Sequence, residues 1–247
     1  MSAETAPVLL AIETATDRCG VALMRGDRLL VAHTIGMPRS HAEWLTTMLD
    51  DALRYAHLAP GALDAVAVSM GPGSYTGLRI GVSAAKGLCF ATGAALLGVP
   101  TLEAVALGVL PFARPGDTIA VALNSRREEV YLALFEASLS GLTPRLGPSA
   151  LSLEDAVTAI SEAPSPVVWV VGEGAGMLQR HGTARDAAMR FLPEVGPSPA
   201  GVAMAGLERF RQGATESLAD FEPYYLKDFI PREKSGTAFD RLPPGRD

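Results

Sequence analysis

Three short polar turns, each directly after an apolar run, contain the residues best suited to contact a nucleotide. The turns follow VLLAI, TIAVAL and PVVWVV, and two of them resemble each other as IETATDRCGVAL and ALNSRREEVYLAL. Carboxylates in such a turn could hold the metal ion that neutralises charge in phosphoryl transfer. The residues that we predict to face a nucleotide are Glu13, Thr14, Asp17, Asn124, Arg126, Gly172 and Gly174. The same residue types are typical of plain turns, and no complete kinase site is visible, so both interpretations stay open.

Metal-dependent and nucleophilic chemistry find less support in the sequence. The four histidines are His33, His41, His57 and His181. No two of them have the i, i+4 spacing that places a pair of metal ligands on one helix face. No serine lies in a recognisable activating context. We therefore predict neither catalytic residues nor a metal site in this chain.

The glycine-rich segment GPGSYTGLRIGVSAAKG, residues 71–87, fits no standard catalytic motif. Its spacing matches neither a P-loop nor a dinucleotide fingerprint, and Ser74 lacks the flanking glycines of a nucleophile elbow. The segment instead joins a buried strand to a helix, with Ser74 and Thr76 as candidate caps. Gly77, Gly81 and neighbouring alanines recur three or four residues apart, which lets another helix approach closely. We predict tight packing here, with direct ligand contact as the alternative.

Composition indicates a globular chain. Its 247 residues are 48% hydrophobic and 19% charged, enough for one large domain or two small ones. Every apolar run is shorter than the ~18 residues that span a membrane, and MSAETAP lacks the basic start of a secretory signal. The net charge of −6 and the scattered arginines argue against independent nucleic-acid binding. Cys19 and Cys89 form no metal or disulfide framework, so we expect a reduced, cytoplasmic protein.

The apolar runs predict two halves with one plan. In the first half, three strands precede a helix that starts with the capping box Ser40 and Glu43, giving the order β-β-β-α-β-α-β-α. In the second half, two strands joined by a polar turn precede a helix over 152–163, a strand, and a helix over 199–211. This duplication predicts an α/β fold built from two ribonuclease-H-like units, the two-lobed actin-like (ASKHA) architecture. An ordinary doubly wound sheet is the alternative. The predicted divisions are an N-terminal lobe over 1–112, a C-terminal lobe over 113–228 and a flexible tail over 229–247.

The helix predicted over 40–57 has an unusually wide apolar side. Trp44 and Tyr55 widen a stripe that would by itself cover the sheet, and His41 at its start is expected to be solvated or part of the capping turn. Core packing is the plain interpretation, and an interface between helices with aromatic and methionine anchors is the alternative. The residues predicted to form a partner interface are His41, Trp44, Leu45, Met48, Tyr75, Gly77, Leu78, Gly81, Ala84 and Ala85.

Several of these stretches together resemble one protein family. IETATDRCGVAL, SHAEWL, AVAVSMGPGSYTGLRIGVSAAKGLCFA, LGVPTLEAVA and EPYYLKD are similar to the bacterial tRNA threonylcarbamoyladenosine biosynthesis family TsaB, also called YeaZ. The resemblance is dense over 9–106, thinner up to 228 and absent over 229–247, and GPGSYTGLRIG is highly specific. Family members commonly have Asp-Ala-Arg where this chain has Asn124-Ser125-Arg126. The loss of that carboxylate weakens the case for metal–nucleotide binding within this chain.

The resemblance implies a non-catalytic subunit with the actin-like fold and no membrane contact. Its expected partners are a TsaE-type ATPase and a TsaD-type subunit, which carries metal-binding histidines and transfers threonylcarbamoyl to adenosine beside the anticodon. ATP or ADP and a metal are expected in those partners, with no cofactor in this chain alone. The chain would contact tRNA only through the complex and form a homodimer when alone. The alternative function is a stand-alone nucleotide-dependent transferase or ATPase that uses Glu13, Asp17 and the glycine loops.

Overall fold

The structure is a computed structural model that describes residues 6–37, 41–125, 128–182 and 189–227. The first half of the chain forms one mixed sheet covered by helices. The strand order is β3-β2-β1-β4-β5, with the first three strands antiparallel and the last two parallel to the first. The predicted order of elements is confirmed. The elements are β1 (Val8–Glu13), β2 (Cys19–Arg25), β3 (Arg28–Ile35), α1 (His41–Tyr55), β4 (Ala65–Gly71), α2 (Tyr75–Thr92), β5 (Ala95–Pro100) and α3 (Thr101–Val109).

The second half repeats this plan in a second five-stranded sheet of order β10-β9-β6-β7-β8. Its antiparallel and parallel pairings match those of the first sheet strand for strand. The two-lobed α/β fold predicted from the sequence is therefore confirmed, although the prediction missed β8, α5 and β10. The elements are β6 (Thr118–Asn124), β7 (Glu129–Ser138), β8 (Gly141–Ser152), α4 (Leu153–Ser161), β9 (Val168–Val171), α5 (Ala175–His181), β10 (Met189–Leu192) and α6 (Pro199–Arg211).

Serine caps begin three of the helices. The hydroxyl of Ser74 accepts a hydrogen bond from the Gly77 amide at the start of α2. Ser152 and Ser198 do the same for α4 and α6. Of the two candidate caps of α2, Ser74 is confirmed, while Thr76 lies inside the helix. Ser40, the predicted cap of α1, lies outside the described residues.

The last helix packs on the first lobe, which differs from the predicted division after residue 112. Alternate residues of β1 point to opposite faces of the sheet, so Leu10 packs against α1 and α2 while Leu9 packs against α6. Gly206 permits this packing, because a Cβ there would lie 2.5 Å from the Cβ of Ala67. Conversely, Leu102 of α3 belongs to the core of the second sheet. The lobes thus exchange helices, since a sheet that is buried on both faces needs a layer on each.

The segment that follows α6, here called the C-terminal strap (213–227), runs back across the first lobe. The Glu216 amide donates to the Leu96 carbonyl over 2.9 Å, and the Tyr224 amide donates to the Met70 carbonyl over 2.6 Å. The buried ring of Phe221 packs where a Cβ at Gly98 would lie 2.7 Å away. The predicted tail over 229–247 lies outside the described residues. Within the described ranges, no helix is long and apolar enough to cross a membrane.

Candidate functional site

The turn between β1 and β2, here called the first loop (14–18), is held against α2 by two glycines of that helix. A Cβ at Gly77 would overlap the carbonyl oxygen of Thr14, and a Cβ at Gly81 would overlap its hydroxyl oxygen. These glycines therefore permit the close packing that their spacing predicts, but the neighbour is this chain's own loop. The prediction that Gly77 and Gly81 contact a partner is therefore wrong, because Thr14 already fills the space.

His41 holds the same loop from the other side, at the start of α1. Its Nε2 lies 2.8 Å from the carbonyl oxygen of Thr16 and 3.2 Å from that of Arg18. Carbonyl oxygens only accept, so Nε2 carries the proton and donates it. His41 lies in the first turn of α1, which agrees with the expected capping-turn position. It is 7% exposed, which contradicts the alternative of a solvated position and the predicted partner contact.

Glu13, at the end of β1, is fully buried and engaged within the first lobe. One carboxylate oxygen accepts the Ala15 amide over 2.6 Å, and the other accepts the hydroxyl of Ser69. Burial raises the pKa of Glu13 to about 7, and the bonds from Ser69 and Ala15 only partly oppose the shift. A carboxyl in this position is a poor ligand for an approaching metal or nucleotide, because its lone pairs face protein donors.

The first loop contacts the second lobe through two residues that were not predicted from the sequence, Arg18 of the loop and Glu173 of the second lobe. Burial raises the pKa of Glu173, which follows β9, and the charge of Asp17 adds to the shift while Arg18 and a hydrogen bond from Thr16 oppose it. The guanidinium of Arg18 donates to the carbonyl oxygen of Glu194 over 2.8 Å. A usable signal was present at Glu173, since a charged residue between two glycines directly after a buried strand points to a cleft. For Arg18 no comparable signal exists.

Of the other residues predicted to face a nucleotide, those that the structure describes do not form an open site. A Cβ at Gly172, which has φ +96°, would overlap the carbonyl oxygen of Ala122, and Gly174 is buried against the same strand. Both glycines therefore allow the loop after β9 to pack on β6. Asn124 is exposed at the end of β6, and Arg126 lies outside the described residues. Among the residues whose positions are described, no three His, Cys, Asp or Glu side chains are placed to hold a metal ion.

Most of the predicted interface residues are covered by their own lobe. The apolar stripe of α1 faces the sheet, so the plain core interpretation is correct for that stripe. Trp44 is 39% exposed, and Tyr75 and Ala84 are partly exposed. A direct partner contact is contradicted for the buried residues, which are His41, Leu45, Met48, Gly77, Leu78, Gly81 and Ala85.

A different set of residues forms the more exposed side of α2, on which Ile80 and Ala84 are half-buried and also pack against the core, while Gly87 and Phe90 are exposed. Ile80, Ala84 and Gly87 are spaced by four and three residues, so they share one side of the helix. Phe90 follows in the next turn and is 86% exposed. A Cβ at Gly87 would have no heavy atom within 4 Å, in contrast to Gly81. We call these four residues the α2 outer face. The sequence did not reveal its limits, because Phe90 in a helix looks like a core residue.

Comparisons with known proteins agree with this architecture. The chain matches the family model described as TsaD, tRNA N6-adenosine threonylcarbamoyltransferase, over residues 36–228. It is 29% identical over 227 residues to the tRNA threonylcarbamoyladenosine biosynthesis protein TsaB of Escherichia coli (strain K12), which covers 92% of this chain and 97% of that protein.

Solved structures show the same fold. A Pseudomonas aeruginosa protein, described as uncharacterized with similarity to peptidase YEAZ, has a TM-score of 0.79 and 27% identity, covering 90% of this chain and 100% of the other. The activator of the 2-hydroxyisocaproyl-CoA dehydratase from Clostridium difficile has a TM-score of 0.51 and 11% identity over 83% of this chain and 95% of its own, a likeness of fold alone. The chain therefore belongs to the TsaD family and, within it, to the TsaB (YeaZ) branch of tRNA threonylcarbamoyladenosine biosynthesis proteins.

Proposed function

We propose that this chain is a non-catalytic subunit that binds a TsaD-type subunit in the complex that installs threonylcarbamoyl on adenosine next to the anticodon of tRNA. The match to a threonylcarbamoyltransferase family and the TsaB relative support the pathway. In this proposal the metal, ATP or ADP, and the transfer itself belong to the partner subunits, including a TsaE-type ATPase. The assembly would act in the cytoplasm and contact tRNA as a whole.

The observation that carries the proposal is the exposed surface of the two helices on one face of the first sheet. Helices α1 and α2 contact each other and cover the same core. Their outward sides expose Trp44 and Phe90, large apolar side chains of the kind that anchor interfaces. Gly87 lies between small or apolar neighbours on α2, so a partner helix can approach its backbone closely.

The interior chemistry of the first lobe fits a binding role. Glu13 accepts hydrogen bonds within the protein, and His41 donates to backbone carbonyls. Both groups thus have partners within the protein, which supports a structural role for them. The residues at the cleft thus act as structural connections between strands, helices and lobes.

A matched pair of glycine substitutions tests the interface. Gly87 in α2 and Gly108 in α3 are both exposed helical glycines with no heavy atom within 4 Å of an added Cβ. Gly87→Leu should weaken binding to the TsaD-type subunit by about 30-fold, the equivalent of ~2 kcal/mol at a central contact. Gly108→Leu adds the same side chain elsewhere and should leave the Kd within twofold. Equal affinities for Gly87→Leu, Phe90→Glu and the wild type would contradict the proposal.

The proposed homodimer uses the same face. In the absence of a partner, two copies would pair through the α2 outer face, so the homodimer would compete with the heterodimer. Sedimentation of Gly87→Leu should then show more monomer than Gly108→Leu at equal concentration. Titration of the isolated chain with Mg-ATP addresses the stand-alone ATPase or transferase, because tight binding without a partner would favour that alternative.

A further inference from the structure

We propose that the first loop (14–18) couples the relative position of the two lobes to helices α1 and α2, so that lobe arrangement sets the affinity for the partner. The inference rests on the proposed function, since it concerns regulation of the same helical surface. Its physical basis is that one short loop contacts both helices and two segments of the second lobe.

The connection to the helices leaves the loop little freedom. Nε2 of His41, at the start of α1, donates to the Thr16 carbonyl over 2.8 Å. At the start of α2, the Ser74 amide donates to the Ala15 carbonyl over 2.6 Å, and Gly77 contacts Thr14 directly. The side chains of residues 14–16 are buried. The loop therefore cannot shift without moving the first turns of both helices or breaking these contacts.

The connection to the second lobe passes through Arg18 and Thr16. The Arg18 guanidinium donates to the Glu194 carbonyl over 2.8 Å and lies against Gly196, where an added Cβ would be 3.5 Å from its Cζ. Thr16 lies close enough to Glu173 to lower the pKa of that carboxyl, against the larger effect of burial. Rotation of the second lobe away from the first must therefore pull the loop or release Arg18.

The C-terminal strap adds a parallel connection at the same end of α2. The ring of Tyr225 packs at 5.0 Å between centroids against Tyr75, the first residue of α2. Two residues later, Lys227 forms an ion pair with Glu129 at the start of β7 in the second lobe. The first turn of α2 is thus tied to the second lobe by two routes. Coupling of this kind is reciprocal, so partner binding must also change the lobe equilibrium.

Arg18→Ala tests the coupling because Arg18 lies outside α1 and α2. The matched control is Arg190→Ala, which removes an arginine that stacks on Trp169 within the second lobe, 5.2 Å from the ring centre. In the isolated chain, Arg18→Ala should speed amide hydrogen exchange in the first turns of α1 and α2, and Arg190→Ala should not. The Kd for the TsaD-type subunit should change at least about fivefold for Arg18→Ala, the low end of measured couplings.

The two readouts separate this inference from the proposed function. If Arg18→Ala leaves amide exchange unchanged in the first turns of α1 and α2, the coupling is overturned, whatever the Kd for the partner. Faster exchange with a Kd within twofold of the wild type also overturns it. If the wild-type chain does not bind the TsaD-type subunit, the proposed function fails, while faster exchange in Arg18→Ala still supports the mechanical connection. The double variant Lys227→Gln/Glu129→Gln should add to the effect of Arg18→Ala on exchange, since it cuts the second route.

Discussion

The two lobes share one order of strands and helices but differ in the length of the elements after the third strand. Helices α1 and α2 have 15 and 18 residues, whereas α4 and α5 have 9 and 7. Strands β4 and β5 have 7 and 6 residues, whereas β9 and β10 have 4 each. A long helix can cover the core and still expose a stable outer surface, while a helix of two turns mainly covers the sheet. The duplication thus kept the topology and placed the proposed interface on one copy.

The ends of the corresponding strands β1 and β6 differ as well. Glu13 is buried at the end of β1, while Asn124 is exposed at the end of β6. Near the end of each strand, a glycine allows another segment to pack closely on the backbone. Gly77 belongs to a helix and Gly172 to a loop. The same packing requirement, backbone against backbone, is therefore met by different elements in the two lobes.

The two tryptophans of the chain allow the lobes to be compared in one protein. Trp44 lies in α1 of the first lobe and Trp169 in β9 of the second. Trp169→Phe leaves a fluorescent reporter of the first lobe, and Trp44→Phe leaves one of the second. Separate reporters matter because a two-lobed chain need not unfold in a single step.

The largest expected effect is on the attachment of the C-terminal strap to the first lobe. Phe221→Ala removes a buried ring from the core below α2 and should lower the free energy of unfolding by about 4 kcal/mol. The loss should appear with the Trp44 reporter in urea titrations. Leu139→Ala, at the exposed tip between β7 and β8, is the control and should change stability by less than about 0.5 kcal/mol. An equal loss at both reporters would show that the strap stabilises both lobes alike.

The next effect is a pH dependence that comes mainly from Glu13 in the first lobe. The pKa of Glu13 rises from 4.5 to about 7 on folding, so between these values the folded state binds more protons than the unfolded state. The free energy of unfolding should therefore fall as the pH rises from 4.5 to 7, by roughly 3 kcal/mol at ~1.4 kcal/mol per pKa unit. Glu13→Gln stays neutral; its Oε1 can accept from the Ala15 amide and its Nε2 can donate to the Ser69 hydroxyl in the reverse direction, so it should remove most of this slope.

The measurement is a series of urea titrations between pH 5 and 8 with the Trp44 reporter. The remaining slope in Glu13→Gln reports other groups, including Glu173, whose pKa burial also raises. Asn124→Ala, at the corresponding strand end of the second lobe, is the control and should leave the slope unchanged. Parallel pH profiles for the wild type and Glu13→Gln would contradict the assignment.

A smaller loss of stability is expected when either of the closely packed glycines, Gly77 or Gly172, is replaced. Gly77→Ala and Gly172→Ala each force a Cβ onto a backbone carbonyl, and Gly172 also has φ +96°, so each should cost about 2 kcal/mol. The first change should be seen with the Trp44 reporter and the second with the Trp169 reporter. Gly108→Ala meets no atom within 4 Å and should instead stabilise α3 by up to ~1 kcal/mol. A neutral Gly77→Ala would mean that Thr14 can move away freely.

The sequence predicted the first lobe well because its signals are strong there. The apolar runs of β1 to β3 and the Ser74 cap are local signals, and the structure confirms them. Strand β8 was missed because Pro144 and Pro148 argue against a strand, yet an edge strand tolerates proline. Helix α6 was predicted over the correct residues but in the wrong lobe, since an apolar pattern shows that a helix is buried and not against which sheet.

The sequence indicated which residues lie at the candidate site, but it did not indicate what each residue does there. The first loop was identified from Glu13 and Asp17, but burial and hydrogen bonding decide that Glu13 is not an open ligand. Gly81 was correctly associated with close packing, while the identity of its neighbour, Thr14, depends on tertiary structure. No local pattern distinguishes Gly81 from Gly87, which have opposite surroundings in the same helix.

Amide hydrogen exchange of the wild-type chain, with and without the TsaD-type subunit, tests most directly whether the interface lies on the first lobe. The proposal predicts slower exchange in α1 and α2 on partner binding, strongest around the α2 outer face, and no change in α4 or β8. Protection in α4 or β8, with α2 unchanged, would contradict it and place the interface on the second lobe.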